Sequence, residues 1–220
     1  MRHGLTMGEL ALFCNQEMAI GADLEVVPVQ GWRRQMFAPA TGLPWVFPSP
    51  NMPAFATALV YPGQVLWEGT NISEGRGTTL PFELFGAPFV DHRAVQGALR
   101  PADLAGCCLR PLCFEPTSGK WAGQACGGFQ IHVTDPDVFR PYRTSLALLQ
   151  ALRHLYPEGF AYKAPPYEYE FERLPMDLLI GDRQVREGLE NGVPVADLEE
   201  AWQADLETYK QRCQVLFLYD

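Results

Sequence analysis

Two carboxylates, Glu68 and Glu74, and one guanidinium, Arg76, are interleaved with Gly69, Gly75 and Gly77 in the stretch 66–86, which reads LWEGTNISEGRGTTLPFELFG. Asn71, Ser73, Thr78 and Thr79 crowd the same span. Glycine lets a backbone turn sharply and approach a ligand closely, and carboxylates, hydroxyls and amides are the groups that hold sugars or phosphates. Glycoside hydrolysis in its usual form uses two carboxyls, one to protonate the leaving oxygen and one to activate water or attack carbon. Glu68 and Glu74 are therefore the candidate acid/base pair, or the support of one. Arg76 suits bidentate capture of a carboxylate, with Asn71, Thr78 and Thr79 as further substrate contacts. The structural alternative is that one glutamate pairs with Arg76 to hold the loop and the other is solvated. Two residues outside the loop join the candidates. Asn51, in PNMP, offers an amide but also suits a turn. His132 sits on a predicted strand facing opposite to Ile131 and Val133, where a structural role and a ligand contact are both open.

Other chemistries lack their signatures. The chain has no G-x-G-x-x-G, Walker or H-E-x-x-H pattern and no G-x-S-x-G elbow. Cys14, Cys107, Cys108, Cys113, Cys126 and Cys213 match no zinc template, so no metal is expected. They read as small buried residues, with a Cys113–Cys126 disulfide between neighbouring strands as the alternative. Seventeen basic against 26 acidic residues give a net charge of −9, which disfavours nucleic acid and anionic membrane as partners. No apolar run is long enough to span a membrane, and MRHGLTMGEL has no signal-peptide core. A hydrophobic content of 47% in 220 residues is enough for a sizeable core.

The elements that must position these groups are legible in outline. Thr6 and Glu9 form a capping box, with Leu5 and Leu10 at the staple positions, opening a helix to about Ala19 that Gly21 caps. Leu24–Val29 (LEVVPV) reads as a strand buried on both faces of a parallel sheet. Helix followed by buried strand is the second half of a β-α-β unit, so a neighbouring strand must come from elsewhere. Residues 36–53 are a proline-rich, irregular connection. A short helix from Pro53 to Tyr61, a strand at Gln64–Trp67, a helix over 91–99 and strands at Cys107–Phe114 and Gly128–Val133 follow. A longer helix covers about 143–156, with Leu146, Leu149, Leu152 and Leu155 on one face. Tyr167–Asp177 reads as an acidic, aromatic surface loop and edge strand, and Arg183–Gly188 starts a short helix. Residues 195–218 form the clearest amphipathic, core-packing helix.

Several blocks occur in an order that resembles one known family: RHGLTMGELA, VVPVQGWRR, GLPWVFPSPNMP, ALVYPG, LWEGTNISEGRGTTLPFELFGAPF and GGFQIHVTD. Together they resemble the exo-β-N-acetylmuramidases, bacterial peptidoglycan-recycling glycosidases long described as a domain of unknown function, over essentially the whole chain. The resemblance implies removal of a terminal β-1,4-linked N-acetylmuramic acid from non-reducing ends of cell-wall fragments. It implies a Rossmann-like domain joined to a C-terminal α/β domain, a cleft between them, no nicotinamide or other cofactor, and a secreted, periplasmic or lipoprotein location. The family's P-E-H-G-F-type motif, whose glutamate is the favoured catalytic residue, and its D-x-Q-D-type segment are absent here. The expected class is thus α/β: residues 1–47 as the tail of a truncated Rossmann-like parallel sheet, and 48–220 as a C-terminal α/β domain carrying the EGTNISEGRGT loop. A separate N-terminal half is the expected partner, with a muramic acid saccharide as ligand. A non-catalytic carbohydrate-binding or interaction module, and more weakly an anion-binding regulatory domain, are the competing functions.

Overall fold

The computed structural model describes residues 3–220. Contacts divide them into two compact units, residues 46–198 and residues 3–45 with 199–220.

The larger unit is built on a helix pair and a small sheet. Helix α2 (Phe55–Gln64) and helix α4 (Pro141–Leu155) pack on each other. Gly63 permits their close approach, since a Cβ there would lie 2.0 Å from the Pro141 carbonyl oxygen. Gln64 then donates to the Ser145 hydroxyl at 2.8 Å and accepts from the Trp67 indole at 2.8 Å. Strands β1 (Leu84–Ala87), β2 (Cys107–Phe114) and β3 (Cys126–Val133) are antiparallel in the order β1-β3-β2. Pro111 is tolerated within β2 because that strand is an edge. Helix α3 (His92–Ala98), capped by Asp91, joins the sheet to α4. Trp67 stacks on Phe85 at 5.2 Å and Phe85 on Phe129 at 5.6 Å, all fully buried. Leu146, Leu148, Leu149 and Leu152 complete the core, each worth about 1.5–3 kcal/mol by removal from water. Helices α5 (Pro175–Ile180) and α6 (Arg183–Glu190) follow, and α7 (Val195–Ala201) leads out of this unit.

In the smaller unit α1 (Met7–Glu17) has the expected capping box: the Glu9 amide donates to Thr6 Oγ1, and the Thr6 amide to Glu9 Oε2. The fully buried Glu9 carboxylate also accepts from Arg34 at 2.5 Å and from the Leu218 amide at 2.8 Å. Burial alone would raise its pKa; the Thr6 and Leu218 amides and Arg34 outweigh it and hold the pKa below the ordinary value. Tyr209 reaches the His3 carbonyl, and Tyr219 packs edge-on against Trp32. The two ends of the chain thus interlock within this unit, where α8 (Gln203–Gln214) also lies.

The α/β class holds, with differences in detail. Leu24–Val29 forms no regular element and belongs to no sheet among the described residues, and Val27 is 83% exposed. A parallel strand has no ladder without a neighbour, and the one sheet described here is antiparallel. The helix closes at Glu17 with Met18 as its C-cap, so the first left-handed residue after it is Ala19 (φ 49°), ahead of the expected Gly21 (φ 71°). Val65–Gly69 is a 3-10 turn continuing α2, not a strand. Its closing bond runs from the Thr70 amide to the Trp67 carbonyl, and the Trp67 indole reaches back three residues to Gln64, a spacing that suits a helical turn. The predicted helix over 195–218 breaks at Trp202 into α7 and α8, and Leu206 of its apolar stripe is exposed. Pro175–Asp177 begins helix α5 rather than ending a surface loop. Cys113 and Cys126 do not pair: Cys113 is opposite Gly127, Cys126 opposite Phe114, and all six cysteines are free thiols. Cys108 and Cys113 are exposed, not buried.

Candidate functional site

The stretch 66–86 folds into a scaffolded loop. The 3-10 turn Val65–Gly69 presents Glu68 at the end of α2. Ser73 bridges to Gly86 through paired backbone hydrogen bonds of 2.8 and 3.1 Å, fixing Glu74 beside the sheet. Gly77 adopts φ +80°, and a Cβ there would lie 2.5 Å from the Ser118 amide nitrogen, so only glycine fits. Its carbonyl accepts from the Thr117 amide and hydroxyl. That contact docks the β2–β3 connection, with Lys120 and Trp121, onto the loop.

The result is one ionic network. Arg76 donates from Nη2 to Glu68 Oε1 at 2.6 Å, and its Nε lies 3.2 Å from Glu74 Oε1. Lys120 Nζ donates to Glu74 Oε2 at 2.9 Å and to the Trp67 and Ile72 carbonyls at 2.6 and 3.0 Å. Tyr167 donates its phenol proton to Glu68 Oε2 at 2.6 Å. Burial pulls the pKa of Arg76 down, but the hydrogen bond and charge of Glu68, with Glu74, leave it raised. Burial wins at Lys120, whose pKa falls despite Glu74. Burial and the Glu68 contact push Tyr167 up. These groups, with Lys163 and Glu168, line a pocket of about 320 Å³. Lys163 Nζ lies 5.4 Å from the Tyr167 ring centroid and, among the described residues, has no carboxylate within 4 Å. Arg76 also lies 5.1 Å over the Phe82 ring.

Three non-glycine residues around this pocket take left-handed backbone conformations: Phe82 (φ 63°), Trp121 (60°) and Glu168 (51°). Such conformations cost of order 1 kcal/mol each and gather at ligand sites. A larger cavity of about 420 Å³ lies against α4, and most of its polar groups are engaged. There Asp103 pairs with Arg100, and Gln150 donates to the Leu189 and Val193 carbonyls. The smaller, polar pocket is the one equipped for chemistry.

The candidates from the sequence divide accordingly. Glu68, Glu74 and Arg76 meet in the pocket. The Asn71 side chain instead clips 159–161, donating to the Gly159 carbonyl at 2.7 Å and accepting from the Ala161 amide at 3.0 Å. Thr78 closes a turn, bonding the Gly75 carbonyl and the Leu80 amide. Thr79 is exposed, and Asn51 lies in the turn after Ser49; neither lines the pocket. His132 does not line it either, and its Nε2 is buried with no hydrogen-bond partner among the described residues. Sequence reasoning missed Lys120, Lys163, Tyr167 and Glu168. The available signal was TSGKWAG, a lysine among small residues between two strands. Among the described residues, no group of three or more His, Cys, Asp or Glu could hold a metal, and no helix is long and apolar enough to cross a membrane.

A pocket of guanidinium, ammonium, carboxylate and phenol groups on an α/β frame suits a polar, hydroxyl-rich or anionic ligand, and the comparisons with known proteins give that class a family. The model of the exo-β-N-acetylmuramidase NamZ C-terminal domain matches residues 59–219, and the corresponding N-terminal model matches residues 1–56. The chain belongs to the exo-β-N-acetylmuramidase NamZ family. It is 39% identical over 219 residues to the peptidoglycan β-N-acetylmuramidase NamZ of Bacillus subtilis (strain 168), covering 100% of this chain and 51% of the relative. It is also similar to two crystal structures of DUF1343 family proteins from Bacteroides fragilis NCTC 9343. One has a TM-score of 0.85 at 27% identity, covering 98% of this chain and 56% of that one. The other has a TM-score of 0.66 at 26% identity, covering 99% and 56%. The chain spans about half the length of these relatives.

Proposed function

We propose that this chain supplies the sugar-holding wall of an exo-acting β-N-acetylmuramidase that releases terminal N-acetylmuramic acid from non-reducing ends of peptidoglycan fragments. The family membership supports the substrate class. The match of the N-terminal family model to residues 1–56 supports reading the first 47 residues as part of that other domain, with the remainder as the C-terminal one.

The observation that carries the division of labour is the state of the two carboxylates. All four oxygens of Glu68 and Glu74 lie within 3.2 Å of Arg76, Lys120 or Tyr167. Each oxygen is already engaged by a cationic or phenolic neighbour, which supports a holding role for the pair. Their role is to hold Arg76, Lys120 and Tyr167 in place. Arg76 spends two of its donors on Glu68 and Glu74, and a guanidinium carries five. The remaining donors, with the ammonium of Lys163, suit the lactyl carboxylate that distinguishes muramic acid from other amino sugars. A charge-assisted pair of this kind is worth about 1.5–3 kcal/mol.

Incubating the chain with a chromogenic N-acetylmuramic acid β-glycoside, alongside calorimetric titration with the free sugar, tests this reading. Binding with no measurable turnover is the expected result. Turnover that Glu68→Gln or Glu74→Gln abolishes would move catalysis into this pocket. Absence of binding would remove the sugar-holding role.

A further inference from the structure

Immediately beside the pocket the chain makes a tight turn that exposes two aromatic rings. Tyr167 and Glu170 exchange backbone hydrogen bonds of 2.9 and 3.0 Å, so Glu168 and Tyr169 form the tip. Tyr167 and Glu168 line the pocket. The next residue, Tyr169, is 94% exposed, and Phe171 is 71% exposed. The turn is braced from both sides. Tyr167 is anchored to Glu68. Glu170 accepts from the Glu172 and Arg173 amides and from the Arg173 side chain at 2.8 Å. Nothing in the core needs these rings, and exposing them costs the chain apolar burial.

We infer that Tyr169 and Phe171 form a stacking platform for the neutral amino sugar attached to the muramic acid held in the pocket, giving the site a second sugar position. The inference rests on the muramic acid reading above. Three features point to this occupant. The rings sit on the same hydrogen-bonded turn as the pocket-lining Tyr167 and Glu168, with Tyr169 one Cα–Cα step, about 3.8 Å, from Glu168. The C–H faces of pyranose rings pack on aromatic faces, and Tyr adds a hydroxyl that can reach sugar oxygens while remaining wet. Glu168, Glu170 and Glu172 alternate with the rings along the chain. With only Glu170 paired, to Arg173, among the described residues, the segment keeps an excess of negative charge that disfavours a second acidic sugar but not an N-acetylglucosamine residue.

Calorimetric titration of the chain with N-acetylmuramic acid, and with the β-1,4 disaccharide of N-acetylmuramic acid and N-acetylglucosamine, tests the assignment. The wild-type chain should bind the disaccharide about three- to tenfold more tightly than the monosaccharide, the size of an aromatic stacking contribution. The double variant Tyr169→Ala/Phe171→Ala should lose that difference while binding the monosaccharide as before, and Tyr169→Phe should keep most of it. Both rings are surface-exposed, so circular dichroism should show an unchanged fold. Equal affinity of the wild-type chain for the two ligands, or an equal loss for both in the double variant, overturns the platform and leaves the pocket reading standing. Failure of the wild-type chain to bind either ligand overturns both.

Discussion

The chemistry turns on whether Glu68 and Glu74 face a ligand or face their own neighbours, and each oxygen faces a neighbour. Lys120 is the least expendable of those partners. Its ammonium is largely buried and serves two carbonyls as well as Glu74, so its removal deprives three acceptors of a donor. Lys120→Met should destabilise the chain by about 3 kcal/mol, read from chemical denaturation, because it takes a donor from two carbonyls and leaves Glu74 with Arg76 as its remaining cation. Loss of less than about 1 kcal/mol would mean that the network relaxes around the gap. Tyr167→Phe removes only the hydrogen bond to Glu68. It should cost about 1 kcal/mol while weakening ligand binding, as Glu68 and Arg76 gain freedom to move. The carboxylate pair and Arg76 were legible in the sequence because they are close along the chain. Lys120 and Tyr167 were not, since the contacts that recruit them span 46 and 99 residues and depend on how loops dock.

At the scale of elements, the loop owes its shape to two clips. One is Gly77, whose backbone could not bear a side chain beside Ser118. Gly77→Ala should lower stability by at least about 1 kcal/mol and weaken ligand binding, since it pushes the Lys120 loop off the Arg76 loop. The other is Asn71, and Asn71→Ala should cost about 1–3 kcal/mol through its two lost hydrogen bonds to 159–161. Hydrogen exchange that quickens at 159–163 and not across the sheet would locate the effect. An unaltered exchange pattern would dismiss the clip. Elements with local signals were read correctly: the Thr6–Glu9 capping box, β2 with its Cys107 and Leu109 turned inward, and the leucine-lined α4. The errors came where burial depends on partners. Gln64–Trp67 looked like a strand by composition, but the side-chain hydrogen bond from Trp67 back to Gln64, three residues apart, favours a helical turn. The apolar run Leu24–Val29 signalled a buried strand whose ladder the described residues do not contain.

Across the whole molecule, the association of residues 3–45 with 199–220 was invisible to local reading, because Glu9 meets the Leu218 amide across 209 residues. Ionisation gives a second molecule-wide test. Burial raises Tyr61, Tyr142, Tyr162, Tyr167 and Tyr209 above the ordinary value of 10.0, Tyr209 to about 12. Raised pKa values mean that the folded chain holds these protons longer than the unfolded one. Their contribution to stability is therefore complete below pH 10 and is lost as pH rises through the folded values. Absorbance at the tyrosinate band should show these residues ionising late, together with unfolding; a single early transition for all eight tyrosines would contradict it. The central claim, that this pocket holds muramic acid by its lactyl carboxylate, meets its most direct test in the comparison of N-acetylmuramic acid with N-acetylglucosamine by titration calorimetry, in the wild-type chain and in Arg76→Ala. The wild-type chain should prefer N-acetylmuramic acid by about tenfold or more, the size of one charge-assisted pair, and Arg76→Ala should erase the preference. Equal binding of the two sugars by the wild-type chain, or a preference that survives the loss of Arg76, would contradict the account.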